Sequence, residues 1–241
     1  MRVWTIGILI ALFAASGAAQ GVPTCQELAA NWQKLQKDYK FAEMEALSDQ
    51  AVKQCNMEAN FEVFHQAALT YLWRGELTKA YPIIKTFSDR AQKNVQASPG
   101  ATQLGASNYL PLLYNIYSGA SDKVEESLMD YDSYMFKAQE AALTYLLRGN
   151  DKRFLKFYQS RKAIKRDYAP ILCRVYCKRN AIVKECPCAA DALPAAQGGP
   201  YAIYADYLNG KPVDELKSEV TARYGDAPLL KKEILQCLGI Q

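Results

Sequence analysis

The chain contains the stretch Ala67-Ala68-Leu69-Thr70-Tyr71-Leu72-Trp73-Arg74-Gly75 and repeats eight of these nine residues 74 positions later, from Ala141 to Gly149. The apolar residues of the stretch recur at helical spacing, and its glycine stands where a helix would end. Chance identity of this length is improbable, so the match indicates an internal duplication. Repeats of about 34 to 40 residues form stacked helical hairpins, and the offset is about twice that period. The repeat therefore predicts an all-α chain of antiparallel hairpins.

The rest of the sequence shows the same helical periodicity and no run of alternating β-branched residues. Glycines mark predicted helix ends, namely Gly75, Gly119, Gly149, Gly210, Gly225 and Gly239. Predicted helix starts are marked by Ser121, Ser133, Asp226, Pro200, Pro212 and Pro228. Together these signals predict helices over 25–38, 41–55, 60–74, 76–93, 101–118, 122–130, 134–148, 151–164, 168–179, 200–208, 212–224 and 228–238. The stretch 180–199 is predicted to be mostly loop.

The segment from Phe64 to Phe87 resembles a tetratricopeptide repeat. The residues that match the packing and turn positions of that family are Phe64, Ala67, Ala68, Tyr71, Gly75, Ala80 and Ile84. The second copy matches at Ala141, Ala142, Tyr145 and Gly149, but departs from the family at Ala138 and Phe154, and both copies lack the usual final proline. The resemblance covers about 60–165 and implies a right-handed α-solenoid. The implied organisation is a helical-repeat domain, 20–165, with a Cys-rich helical region, 166–241, packed on it.

The resemblance also implies a binding surface, because the first helices of stacked hairpins line a concave face. The residues implied for that face are Glu62, His65, Leu69, Leu72 and Trp73 in the first copy, and Phe136, Gln139, Leu143, Leu146 and Leu147 in the second. The implied partner is a protein or a peptide. Both faces are largely apolar, so the alternative is that neighbouring helices cover them as core.

The N-terminus has the three parts of a cleavable signal peptide. Arg2 supplies the positive charge, the apolar run Val3–Phe13 follows, and Gly17 and Ala19 form a small-x-small cleavage site. The run is too short to cross a bilayer, which needs about 20 apolar residues. We therefore expect residues 1–19 to be removed and the mature chain to be exported, to the periplasm or the extracellular space. An uncleaved membrane anchor is the alternative, but we expect no integral membrane protein.

Export makes disulfides the expected state of the seven cysteines, because the compartments outside the cytoplasm are oxidising. Cys25 opens the first predicted helix and Cys55 closes the second. These two ends lie side by side in an antiparallel hairpin, so we predict a Cys25–Cys55 bridge. Cys237 is the odd residue, which pairs within the chain, stays free, or links two chains.

The other four cysteines form a cluster in sequence. Cys173 and Cys177 lie one helical turn apart, and Cys186 and Cys188 follow on the predicted loop. Nested bridges, Cys173–Cys188 with Cys177–Cys186, are one connectivity that the sequence leaves open. Two alternatives are a four-thiolate zinc site and a redox centre at Cys186 and Cys188. The expected compartment favours disulfides, so no metal and no cofactor is predicted.

Catalytic patterns are sparse. His65 is the only histidine, which removes most His-based metal sites and triads. The sequence has no Gly-x-Ser-x-Gly, no phosphate-binding glycine loop and no His-Glu-x-x-His. We therefore predict no catalytic residue, although carboxylate chemistry leaves little trace in a sequence.

One segment is strongly basic although the chain as a whole carries a net charge of only +4. Between positions 152 and 184 there are eleven basic residues and one acidic residue, Asp167. Aromatic residues are interleaved with them. We interpret the segment as a surface for an anionic lipid or polymer, through Arg153, Lys156, Arg161, Lys162, Lys165 and Arg166. Export argues against nucleic acid as the partner, and the alternative is a solvated helix face.

These features favour an exported, disulfide-stabilised binding or scaffolding module that recognises a protein or peptide through a concave helical face. Two other functions stay open. One is a secreted helical enzyme that uses carboxylates. The other is a helical carrier of a small apolar ligand, with a pocket formed by Leu69, Leu72, Trp73 and Phe136.

Overall fold

The computed structural model describes residues 22–97, 109–120, 155, 158, 169–193 and 198–240. Within this part of the chain every regular element is helical, as predicted. The α-helices are α1 (Cys25–Lys37), α2 (Phe41–Gln54), α3 (Phe61–Arg74), α4 (Leu77–Ala97), α5 (Tyr109–Tyr117), α6 (Ala169–Arg179), α7 (Gly199–Leu208), α8 (Val213–Tyr224) and α9 (Pro228–Leu238). A short 3₁₀ turn, Val183–Glu185, lies in the predicted loop between α6 and α7.

Most helix boundaries were predicted closely, and two details were wrong. The residue that precedes α9 is Ala227 rather than Asp226, because the helix starts on Pro228, whose fixed φ suits the first helical position. Gly225 follows α8 with φ −55°, so this turn does not use the left-handed backbone that glycine permits. The predicted signal peptide 1–19 and the helices 122–130, 134–148 and, except for positions 155 and 158, 151–164 lie outside the described residues, as do Ser121, Ser133 and Gly149.

The first hairpin is fixed at its open end. Thr24 precedes α1 and forms a capping box with Glu27: the Glu27 amide donates to Thr24 Oγ1 at 3.2 Å, and the Thr24 amide donates to Glu27 Oε2 at 2.7 Å. The adjacent Cys25 is bonded to Cys55, with the two Cα atoms 5.9 Å apart. The predicted bridge is confirmed, and it holds the start of α1 against the end of α2.

The α3–α4 hairpin packs through the residues that suggested the repeat. Phe64, Ala67, Ala68, Tyr71, Ala80 and Ile84 are all buried in one apolar cluster, to which α5 contributes Leu110 and Leu113. The small side chains of the alanine pair let the helix backbones approach closely. The turn between the helices is made by Gly75 with φ +86°, a left-handed conformation that other residues adopt only with strain.

The C-terminal helices form a larger core that also includes the ends of the N-terminal helices. Helices α6 to α9 contribute buried residues such as Leu172, Val220 and Ile234. Leu35 of α1, Trp73 of α3 and Ile116 of α5 pack against the same core. Each of these three residues lies near the C-terminal end of its helix, so the C-terminal helices dock on one edge of the N-terminal layer. In the described residues, no helix is both long enough and apolar enough to cross a membrane.

Candidate functional site

The predicted partner face of α3 divides into two halves. At the C-terminal half, Leu72 is completely buried and Trp73 is half-buried. At the N-terminal half, Glu62 is exposed and His65 is half-buried. Leu69, between them, is half-buried against the α3–α4 core. The prediction that Leu72 lines an open groove is therefore wrong, and Trp73 presents only part of its side chain to solvent.

The two residues are enclosed by different neighbours. Leu72 is buried in the α3–α4 cluster together with residues of α5, whereas Trp73 packs against the core that includes the C-terminal helices. The turn before α9 and α9 itself dock at this end of α3. The Leu229 side chain comes within 3.8 Å of the position that a Cβ would take on Gly75, and Arg74 Nη1 donates to the Asp226 carbonyl at 2.6 Å. Trp73 is further enclosed by Trp32, which stacks on it with ring centroids 6.0 Å apart. An apolar stripe is most stable when another apolar surface covers it, so this half of the face has become core.

The N-terminal half keeps an accessible aromatic surface. Phe61, the first residue of α3, is 39% exposed. Its ring lies 4.5 Å from that of Phe87 and stacks over His65 at 6.4 Å. Beside it lies the exposed carboxylate of Glu62. We call Phe61, Glu62 and His65 the α3 rim; aromatic residues are enriched in protein-binding surfaces relative to the rest of the protein surface.

A polar network joins α2, α3 and α4 on their outer side. Glu45 pairs with Arg74 and with Lys79, both at 2.8 Å, and Asp49 accepts from Tyr71 Oη at 2.8 Å. Partial burial opposes the ionisation of Glu45, but hydrogen bonds from Lys79 and Arg74 outweigh it, so the pKa of Glu45 is below its ordinary value. Every group here is paired with another, which indicates a stabilising role rather than a catalytic one.

A second polar site is a buried carboxyl group carried by α9 itself. Glu233 is 6% exposed and accepts a hydrogen bond from Tyr117 Oη of α5 at 2.5 Å. Burial raises the pKa of Glu233 to about 7, although the hydrogen bond from Tyr117 acts in the opposite direction. Cys237, one turn further along α9, and Tyr204 of α7 are buried nearby, and burial raises the pKa of both groups.

The sequence interpretation missed Glu233, although its position carries a signal. Leu230, Glu233, Ile234 and Cys237 have the i, i+3, i+4, i+7 spacing of one helix face, so an ionisable residue occupies the apolar stripe of α9. An ionisable residue in such a stripe is expected to be buried, and buried carboxyl groups need a partner. The identity of that partner, Tyr117, could not be read from the stripe.

The four clustered cysteines adopt the nested connectivity. Cys173 is bonded to Cys188 and Cys177 to Cys186, with Cα–Cα distances of 6.2 and 5.6 Å. Cys237 is a free thiol. Its complete burial keeps it from pairing with a second chain, which settles one alternative for the odd cysteine.

The described part of the basic segment has an internal role. Arg174 donates to the carbonyls of Ala189 at 3.1 Å and Asp191 at 2.7 Å, and Arg179 donates to the carbonyl of Cys237 at 3.1 Å. Lys178 donates to the carbonyls of Tyr207 and Leu208. These cations therefore satisfy carbonyl groups in the loop after α6 and near the ends of α7 and α9, where positive charge is favourable.

The remaining predicted site residues lie outside the described part of the chain. They are Phe136, Gln139, Leu143, Leu146 and Leu147 of the second copy and the anionic-surface residues Arg153, Lys156, Arg161, Lys162, Lys165 and Arg166.

A cleft of about 680 Å³ opens beside the end of α6. Its walls combine aromatic and aliphatic side chains, from Tyr207, Val213 and Ile240, with charged ones from Arg179, Asp214 and Lys217. The cleft is open and more polar than most small-molecule sites, which are lined mainly by apolar side chains. Comparison of the chain with family models, curated proteins and solved structures finds no match.

Proposed function

We propose that this protein is an exported, tetratricopeptide-like binding module that recognises a protein or peptide through the α3 rim. The observation that carries the proposal is the exposure of Phe61 beside Glu62, on the half of the α3 face that the C-terminal helices leave uncovered. The fitting partner is a chain segment that presents an apolar side chain to Phe61 and a cationic side chain to Glu62.

The pattern of helix packing supports a solenoid. α1 packs against α2 and α3, and α3 packs against α2, α4 and α5. In a stack of hairpins each first helix contacts its own second helix and the helices of the adjacent hairpin. The proposed right-handed stack consists of α1–α2, α3–α4 and a third hairpin that begins with α5. Three structural disulfides fit an exported protein, because such bonds persist in oxidising compartments.

The affinity that Phe61 adds can be estimated. An aromatic side chain has on the order of 200 Å² to bury, so the exposed two-fifths of Phe61 amounts to roughly 80 Å². Complete burial of that area by a partner contributes about 2 kcal/mol, which is a factor of about 30 in the dissociation constant.

The test is affinity capture from the exported fraction of the source cells, with the chain from Gln20 onward as bait at low salt. We expect a protein that the wild type retains and that F61S and E62K bind at least about tenfold more weakly. V52S is the matched control, since Val52 on α2 is also 39% exposed. Retention of no protein, or equal affinity of F61S, E62K and V52S for the retained one, would refute the proposal.

The cleft beside α6 supports a second candidate, a carrier of a small amphiphilic ligand. Val213 is 48% exposed at its edge, so a carboxylate there, in addition to that of Asp214, should remove an apolar contact and weaken binding of an apolar ligand chain. A fluorescent amphiphile that brightens in apolar surroundings should bind the wild type and V52D equally and V213D at least about tenfold more weakly. Equal binding by V213D would remove this candidate.

A further inference from the structure

The two disulfides at the end of α6 bring four sulfur atoms into one group. Cys173 and Cys177 project from the same face of α6, and Cys186 and Cys188 are placed against them by the loop that follows. All four Sγ atoms lie within 4.8 Å of one another. The Sγ atoms of Cys186 and Cys188, which belong to different disulfides, are 3.1 Å apart.

This spacing is close to that of a metal site. Zinc bound by four thiolates is tetrahedral, with Zn–S bonds of about 2.3 Å, which separates the sulfur atoms by roughly 3.8 Å. The farthest pair therefore needs to move together by no more than about 1 Å. Each bonded pair must separate by about 1.7 Å once its S–S bond of about 2.05 Å is broken. Cys173, Cys177 and Cys188 are buried and Cys186 is half-buried, so the site is closed on most sides and has one accessible edge.

The loop that carries two of the sulfur atoms is held independently of the disulfides. Arg174 donates to the carbonyls of Cys188 at 3.4 Å, Ala189 at 3.1 Å and Asp191 at 2.7 Å. Tyr158 Oη donates to the Asp191 carboxylate at 2.6 Å. These contacts remain when the S–S bonds are broken, and the Arg174 guanidinium also offsets negative charge that gathers on the sulfurs.

We propose that reduction converts this pair of disulfides into a zinc site with four thiolate ligands, Cys173, Cys177, Cys186 and Cys188. Each disulfide takes two electrons and two protons from a dithiol reductant, which itself closes to a disulfide. The four thiols then release four protons as Zn²⁺ binds, and the complex carries a charge of −2. Removal of four electrons by an oxidant forms the two disulfides again and releases the ion.

The test is zinc titration of the chain from Gln20 onward, reduced with a dithiol, freed of reductant without oxygen, and titrated against a chromophoric chelator. The C25S/C55S variant serves as background, because it leaves only the four clustered cysteines and Cys237. We expect about one zinc ion per chain in the wild type, in C25S/C55S and in C25S/C55S/C237S. C25S/C55S/C186S should bind zinc at least about 100-fold more weakly than C25S/C55S. The disulfide-bonded protein should bind no zinc at this site.

A second variant separates loss of a ligand from loss of folding. C186H should keep the stoichiometry of about one, and bound Co²⁺ should change from the spectrum of four sulfur ligands to that of three sulfurs and one nitrogen. Unchanged affinity in C186S, or the same Co²⁺ spectrum in C186H and its parent, would overturn the proposal. So would a reduced parent protein that takes up no zinc.

Discussion

Replacement of Glu233 by glutamine should remove a loss of stability that the wild type undergoes as the pH rises from about 4.5 to about 7. The carboxyl group of Glu233 is buried on the inner face of α9, and its pKa is about 7, compared with 4.5 for an unperturbed glutamate. Between these values the folded chain holds a proton that the unfolded chain has released. The folded state therefore loses stability as the pH rises from about 4.5 to about 7, and the loss is complete above that range. The difference of roughly 2.5 pKa units corresponds to about 3 kcal/mol.

E233Q keeps an oxygen that can accept the hydrogen bond from Tyr117 and removes the ionisation. The new amide hydrogens also change the free energy of unfolding of E233Q relative to the wild type, by an amount that does not depend on pH. The informative quantity is therefore the change in the stability difference between about pH 4 and about pH 8. We expect E233Q to gain up to about 3 kcal/mol relative to the wild type over that interval.

The assay is urea denaturation across this pH range, followed by circular dichroism with the disulfides intact. E62Q is the matched control, because it makes the same replacement at an exposed glutamate on α3 instead of at a buried one. If E233Q and the wild type lose stability in parallel as the pH rises, the argument from burial is wrong.

Three further changes test other parts of the fold. C25S/C55S removes a cross-link between residues 30 apart and should lower the free energy of unfolding by about 3–4 kcal/mol, measured by urea denaturation. W73A should cost about 3 kcal/mol in the same assay and reduce the near-UV signal of the stacked tryptophans, whereas a freely exposed Trp73 would make the change nearly neutral. The wild type should lose stability as the pH falls below about 4.5, because the pKa of Glu45 is lowered in the folded state. E45Q should weaken this pH dependence. If E45Q and the wild type lose stability equally at acid pH, Glu45 does not stabilise the fold through its ion pairs.

Some parts of the candidate site could be predicted because local rules determine them. The Cys25–Cys55 bridge followed from two helices and a short turn, since an antiparallel hairpin brings its open ends together. The nested pairing of the four clustered cysteines was one of the connectivities that the sequence allowed. Two cysteines one helical turn apart project from the same helix face, so both can reach the same following loop. The choice between that pairing and the other connectivities was left to the structure.

Other parts depended on contacts between distant segments. Leu72 and Trp73 looked like a binding face, but α4 and α5 enclose Leu72, and the core that includes the C-terminal helices encloses much of Trp73. The partner of Glu233 is 116 positions away. The tetratricopeptide-like arrangement, export, the anionic surface and the partner itself stay predictions.

The sequence by itself determined most boundaries of the described helices, the burial of the packing residues that suggested the repeat, and which cysteines close the first hairpin. Each of these depends on the spacing of apolar residues within a few helical turns, on the left-handed backbone of Gly75 (φ +86°), or on the geometry of one hairpin. Only the tertiary structure decided which apolar stripe is covered by which, because hydrophobic attraction is non-directional and any exposed stripe of suitable shape can cover another. That is why the repeated segment identified a helix but not its free side, and why only the rim at Phe61 is left as the proposed binding surface.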